Sequence, residues 1–200
     1  MRILVVGGKG TIGSAVVADL MQRHDVLVAG RTAGDFSVDL TASASIEAMY
    51  LEIGELDAVV CCAGKGAFKS LESLTDEDFQ LSLSSKLMGQ VNLARLAVAS
   101  LKPGGSITLT SGFLAREPAP GSAAVSMVNA ALEAFVAAAA LEIPNQIRIN
   151  VVSPPWVTET LQAMGRVDDG GLPAATVALG YRAAVEGDAR GTVIDARQFG

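Results

Sequence analysis

The residues joining the first apolar run to the first helical pattern, VVGGKGTIGSAVV (5–17), have the composition of a phosphate cradle. Without β-carbons the backbone turns tightly, brings its amides up to a pyrophosphate at a helix N-terminus, and lets that helix pack close on the preceding strand. Two registers fit: Gly8, Gly10 and Gly13 read as G-x-G-x-x-G, and Gly7, Gly10 and Gly13 as a G-x-x-G-x-x-G variant. Further on, AGRT (29–32) places Arg31 where an acid commonly holds adenosine ribose hydroxyls. A guanidinium there can take a 2′-phosphate bidentately, and Lys9 in the turn adds a second positive charge, so the residues favour NADP(H) over NAD(H). The alternative for Arg31 is a solvated strand-end residue.

A second stretch bears on catalysis. GSAAVSMVNAALEAF (121–135) is helical in pattern, and Glu133 is its only ionisable side chain. A hydride carrier bound beside such a helix would need a proton donor from somewhere, and the stretch offers no evident one.

The elements that must position these residues alternate along the chain. Short β-branched runs at 2–6, 26–29, 36–40, 57–62, 106–111, 147–152 and 192–196 are apolar nearly throughout, as strands covered on both faces are. Helical patterns occupy 11–23, 42–53, 75–100, 122–142 and 173–186. Thr75 followed by three acids marks a helix start, and Pro173 suits a first turn. A βαβα succession with right-handed crossovers predicts one α/β domain: a Rossmann-like, doubly wound parallel sheet of about seven strands with helices on both faces. Its ligand is expected beyond the carboxyl ends of the strands.

On these motifs in this order, the chain resembles the short-chain dehydrogenase/reductase family over essentially its whole length. GGKGTIG opens it. VDL (38–40) is similar to the family's adenine-contacting Asp, here Asp39, with Leu40 beside it. CCAG (61–64) stands where the family has N-N-A-G, and SPPWVTET (153–160) is similar to the family's Pro-Gly segment, with Pro155 in place of glycine. The resemblance implies that Gly7, Lys9, Gly10, Thr11, Ile12 and Gly13 meet the phosphates of the cofactor. Arg31 and Thr32 would meet its adenosine end, Cys62, Ala63 and Gly64 its middle, and Pro154, Val157 and Thr158 its nicotinamide.

The resemblance also implies hydride transfer between nicotinamide and a carbonyl or alcohol carbon, with a serine, a tyrosine and a lysine managing oxygen and proton. LTSGF (109–113) supplies Ser111 at the expected strand end; a hydroxyl satisfying backbone is the other reading of it. Aligning NAALEAF (129–135) with the family's K-A-A-L-E-G-F puts Asn129 at the lysine and Val125 at the tyrosine. No Y-x-x-x-K occurs elsewhere, since Gly54 and Val185 follow Tyr50 and Tyr181 at that spacing. FQLSLSSKLMG (79–89), aligned with the family's long helix, puts Lys86 where an asparagine is usual. Lysine and asparagine have thus traded places. Either Lys86 reaches back to the nicotinamide ribose with Asn129 as its polar partner, or it faces solvent beside Ser84 and Ser85.

The remaining features set bounds. Half the residues are hydrophobic and 18% are charged, with a net charge of −6, which favours a compact domain and argues against nucleic acid or an anionic membrane as partner. The vicinal Cys61 and Cys62 read as small buried hydrophobes in a reducing compartment, and a cytoplasmic location is expected. His24 reads as a helix C-terminal residue, no metal site is expected, and Lys65 and Arg116 are further cations at the mouth of the cleft. LQAMGRVDDGGL (161–172) is a short lid with two adjacent acids, and Trp156 is placed to cover the nicotinamide. The small side chains of 122–142 suit either internal packing or the homodimer or homotetramer that the resemblance implies. Two functions follow: an NADP(H)-dependent oxidoreductase with an altered proton relay, acting on a small carbonyl or alcohol, or an NADP(H)-binding protein without chemistry that serves as redox sensor or assembly partner.

Overall fold

A computed structural model describes residues 1–144, 146–166 and 170–200. Seven parallel strands form one sheet in the order β3-β2-β1-β4-β5-β6-β7: β1 Arg2–Val6, β2 Asp25–Gly30, β3 Phe36–Ser37, β4 Leu56–Cys61, β5 Leu101–Thr110, β6 Arg148–Ser153 and β7 Val193–Asp195. The direction of winding reverses between β1 and β4. That reversal opens a crevice at the carboxyl ends of these strands, the usual seat of a ligand in an open α/β sheet.

Alternation along the strands decides the two layers. Leu4, Val59, Ile107 and Ile149 point to a core shared with α2 (Ser43–Ile53), α4 (Gly89–Ala97) and α5 (Ala123–Glu142). Their neighbours Ile3, Ala58 and Val60 point the other way, to a core shared with α1 (Thr11–Leu20) and α7 (Ala174–Glu186). Because both faces are covered, the strands read as continuous apolar runs. By length and composition α5 is apolar enough to cross a bilayer, but Val128, Leu132 and Val136 on one stripe are fully buried, the last two in the sheet-facing core.

Several expected elements differ, and the strand expected over 106–111 already begins at Leu101. The strand expected over 36–40 stops at Ser37, although the Val38 amide still bonds the Gly30 carbonyl. Beyond it the Asp39 carboxylate accepts from the amide and hydroxyl of Thr41 at 2.9 and 2.7 Å, a local turn that competes with the ladder. The helix expected over 75–100 is three pieces: α3 (Asp76–Ser82), a π-helical segment Leu83–Met88, and α4. Thr75 and Asp78 close a capping box at its start. The first helix ends at Leu20, and a turn carries 21–24 into β2. A short helix, α6 (Thr158–Ala163), stands where none was expected. The lid's two acids, Asp168 and Asp169, lie outside the described residues.

Candidate cofactor and active site

The glycine turn is shaped by clashes that only glycine avoids. Gly7 has φ +83°, a left-handed conformation, and a β-carbon on it would lie 2.9 Å from Ala63. A β-carbon on Gly13 would lie 2.0 Å from the Gly7 carbonyl oxygen, and the Gly10 amide donates to that same oxygen at 3.0 Å. The turn is therefore organised in the Gly7, Gly10, Gly13 register, while Gly8 lies against the side chains of Val17 and Val28. Gly10 caps α1 without a side chain, and the first turn of α1 holds no acid, so its amides face the crevice unneutralised. Lys9 and Thr11 are exposed on this turn, and Ile12 leans into the core behind it.

Next to the turn lies a cavity of about 270 Å³ bounded by Gly7, Arg31, Asp39, Leu40, Ala63 and Gly64, among others. Arg31 and Thr32 also border an adjoining concavity formed by 30–37. Thr41's hydroxyl and amide, with Arg31 nearby, hold the Asp39 carboxyl below its usual range, so it is an anion that faces the cavity. Lys65 borders the same cavity, its amide donating to Ser85 Oγ at 3.0 Å. These features fit a phosphorylated adenine dinucleotide: the cradle is a space that one β-carbon would fill, and the cavity beside it joins a cation to an apolar floor.

At the carboxyl end of β5 a second polar cluster gathers. Gln90, fully buried, donates to the Thr110 carbonyl at 2.9 Å and accepts from the Thr110 amide at 2.8 Å. Lys86, carried inward on the π-helical segment, donates to the carbonyls of Thr110 and Ser111 at 3.4 and 3.3 Å. Burial lowers its pKa from 10.5 to about 8, with Cys61 opposing. Of the two positions open to Lys86, the structure takes the inward one. Its partners among the described residues are carbonyls of β5 and its extension. Asn129 is buried across from Gly112, where it reaches the Gly112 carbonyl with Nδ2 at 3.5 Å and leaves Oδ1 without a partner among the described residues.

Ser111 is at the expected strand end, but its hydroxyl donates to Glu133 Oε1 at 2.9 Å. Glu133 lies eight residues beyond Val125 on α5, so the contact draws that hydroxyl toward later turns of the helix. Arg116 joins this cluster and is tied inward: its guanidinium donates to Ser153 Oγ at 3.0 Å and lies 3.9 and 3.8 Å from the carboxylates of Glu133 and Asp195. Glu133's role was hidden in the sequence because its partner is 22 positions away on another element. The one signal was its isolation as the only ionisable side chain of the apolar stretch 121–135.

The remaining site residues fall as follows. Cys61 is buried, and burial pushes its thiol up to about 12. Cys62 and the Tyr181 phenol beside it are raised likewise, so all three stay protonated. Tyr181 OH and Thr110 Oγ1 lie 2.7 Å apart, a buried pair that sequence reasoning did not find. Pro154 is buried and its carbonyl accepts from Phe113; Val157 is buried, and the Thr158 amide at the start of α6 donates to the Leu172 carbonyl. His24 pairs with Glu186 at 2.9 Å, at the amino end of β2 and so away from the crevice at the carboxyl ends of the strands. Val125 faces Gly66, where a β-carbon would lie 3.2 Å from Val125 Cγ2.

Comparison with known proteins adds to this geometry. Residues 9–179 match the family model described as enoyl-(acyl carrier protein) reductase. The chain is 30% identical to a hydroxynaphthalene reductase of Aspergillus fumigatus over 178 residues, covering 77% of this chain and 65% of that protein. It is 31% identical to a short-chain dehydrogenase/reductase of Stachybotrys chlorohalonatus over 188 residues, covering 78% of this chain and 74% of that one. The chain thus spans about two thirds to three quarters of these relatives. Among solved structures, a protein of Listeria innocua is 40% identical over 98% of both chains with a TM-score of 0.94. A small-chain dehydrogenase in complex with NADPH is 28% identical, covering 98% of this chain and 95% of that one, with a TM-score of 0.86.

Proposed function

The chain belongs to the short-chain dehydrogenase/reductase family, and from that premise we propose that it is an NADP(H)-dependent oxidoreductase acting on a carbonyl or alcohol with an altered proton relay. The observation that carries this reading is the Gly7–Gly13 cradle opening onto a cavity bordered by Arg31. Amides of the first turn of α1 hold the pyrophosphate, and Arg31, Thr32 and Lys9 hold a 2′-phosphate. Cys62, Ala63, Gly64, Pro154, Val157 and Thr158 line the rest of the cofactor's path. The dinucleotide, when bound, supplies or accepts a hydride.

In this reading Val125 and Asn129 stand where the family's tyrosine and lysine would be, and Lys86 restores the positive charge from the facing helix. Lys86 stabilises negative charge that develops on a substrate oxygen, and Ser111 contributes only when its hydroxyl leaves Glu133. A homodimer or homotetramer forms across the outer face of α4 and α5, where Ala94, Val98, Phe135, Ala139 and Ile143 border an open apolar groove. The protein works in the cytoplasm, with no nucleic acid or membrane partner.

Val125, together with the commitment of Ser111 to Glu133, favours one second reading: an NADP(H)-binding protein without turnover. The test is NADPH consumption, followed by absorbance, with a panel of aldehydes, ketones and quinones, for the wild type and Lys86→Ala. Turnover that drops in Lys86→Ala supports the oxidoreductase. Tight NADPH binding with no turnover, and no response to Lys86→Ala, selects the second reading.

A further inference from the structure

The chain has one tryptophan, and it sits in an aromatic group at the cleft. The Trp156 ring centre lies 5.5 Å from that of Phe68 at an interplanar angle of 76°, and 6.3 Å from that of Phe113 at 68°. The guanidinium carbon of Arg166 lies 5.5 Å from the same ring centre. These three rings stand on the segments that leave β4, β5 and β6 at their carboxyl ends. Arg31 and Asp39, beyond β2, mark the adenosine end on the other side of the crevice, so the aromatic group lies at the nicotinamide end. Phe68 is 45% exposed and the other two rings are half-buried, so their surfaces are not consumed by the core.

At the positions where the family resemblance places the proton relay, the described residues offer no aligned proton donor. Val125 is apolar and Gly112 has no side chain. The Ser111 hydroxyl donates to Glu133, and the Lys86 ammonium is turned to two backbone carbonyls. Reducing an isolated ketone creates an alkoxide about as basic as hydroxide, whose conjugate acid is as weak as water, so such a reaction depends on an acid in the site. Reducing a quinone creates a phenolate-type anion whose acid titrates near 10, as tyrosine does, and solvent can protonate it.

Resting on the oxidoreductase reading, we propose that the hydride acceptor is a quinone, a planar conjugated dione packed against Trp156 between Phe68 and Phe113. The hydride, with its electron pair, forms an O–H bond at one carbonyl oxygen of the quinone as the C4–H bond of the dihydronicotinamide breaks. The quinone becomes the hydroquinone anion, NADPH is oxidised to NADP+, and one proton from water completes the hydroquinone. Edge-to-face and offset contacts hold the planar ring, and the positive charge of Lys86 favours the anion.

Because Trp156 is the only tryptophan, its fluorescence reports this site directly. The full-length protein saturated with NADP+ is titrated with 1,4-naphthoquinone and, separately, with cyclohexanone; NADPH oxidation by each is measured against enzyme-free blanks. The proposal predicts saturable quenching by the quinone only, and quinone turnover at least about tenfold faster than cyclohexanone turnover, the span expected when an unassisted acid step is avoided. Phe68→Ala shifts both the quenching midpoint and KM for the quinone up by roughly three- to tenfold, with NADPH affinity unchanged, and Phe68→Tyr restores them. Quenching no different from that of a free tryptophan amide, or cyclohexanone turnover equal to that of the quinone, overturns the quinone assignment while NADPH binding upholds the wider reading. Failure to bind NADPH overturns both.

Discussion

Lys86→Met should change how stability depends on pH, and the structure sets the sign and size of the change. The folded-state pKa of Lys86 is about 8, against 10.5 for the unconstrained side chain, because burial penalises its charged form. Between these values the unfolded chain holds a proton that the folded chain has released, so the Lys86 contribution to stability rises with pH across that window. Two and a half units at 1.36 kcal/mol each give a gain on the order of 3 kcal/mol for the protein without cofactor, reduced by whatever water reaches the side chain. Below pH 8 the folded state carries the charge at a cost, which Met does not incur, although Met leaves the Thr110 and Ser111 carbonyls without that donor. Cys61, Tyr50 and Tyr181 have raised values and pull the other way at high pH, since the unfolded chain loses those protons first. The difference between wild type and Lys86→Met cancels them. Urea unfolding of both proteins at pH 7, 8, 9 and 10 measures it: the wild type should gain on the variant steadily above pH 8. A flat difference, or one that shrinks, refutes the inward position of this ammonium.

Other outcomes follow from the same geometry. Arg31→Ala should weaken NADPH binding by roughly ten- to a hundredfold, the loss of charge-assisted hydrogen bonds, while NADH binding measured by the same fluorescence titration stays within about twofold. Gly13→Ala pushes a methyl group to 2.0 Å from the Gly7 carbonyl oxygen, so thermal unfolding should show a loss of at least about 1–3 kcal/mol together with lost cofactor binding. Glu133→Leu leaves Ser111 and Arg116 without their shared carboxylate and should cost about 1–3 kcal/mol in chemical denaturation, whereas Glu133→Gln, which keeps the acceptor for Ser111, should cost under about 1 kcal/mol.

How much of this was legible depended on whether the signal was local. The apolar runs and glycine turn announce a parallel sheet with a phosphate-binding crevice, because residues buried on both faces leave no polar alternation to misread. The edge strand was harder. VDL continues the apolar-rich run of 36–37, and only the Asp39–Thr41 turn, a side-chain contact, ends the ladder there. The interruption of 75–100 left no mark either, since Leu83–Met88 has the same composition as the helices around it and the π turn is defined by backbone pairing. Lys86 was identified by alignment, but its inward position came from that π segment. Ser111 had two readings, substrate oxygen or backbone, and in the structure its proton goes instead to the carboxylate of Glu133.

The account rests on a cradle for a phosphorylated dinucleotide, and calorimetric titration of the purified chain with NADPH and with NADH tests it most directly. The geometry predicts one site per chain, with NADPH bound at least about tenfold more tightly than NADH and the preference lost in Arg31→Ala. No heat with either nucleotide, or equal affinity for both that Arg31→Ala leaves unchanged, contradicts it.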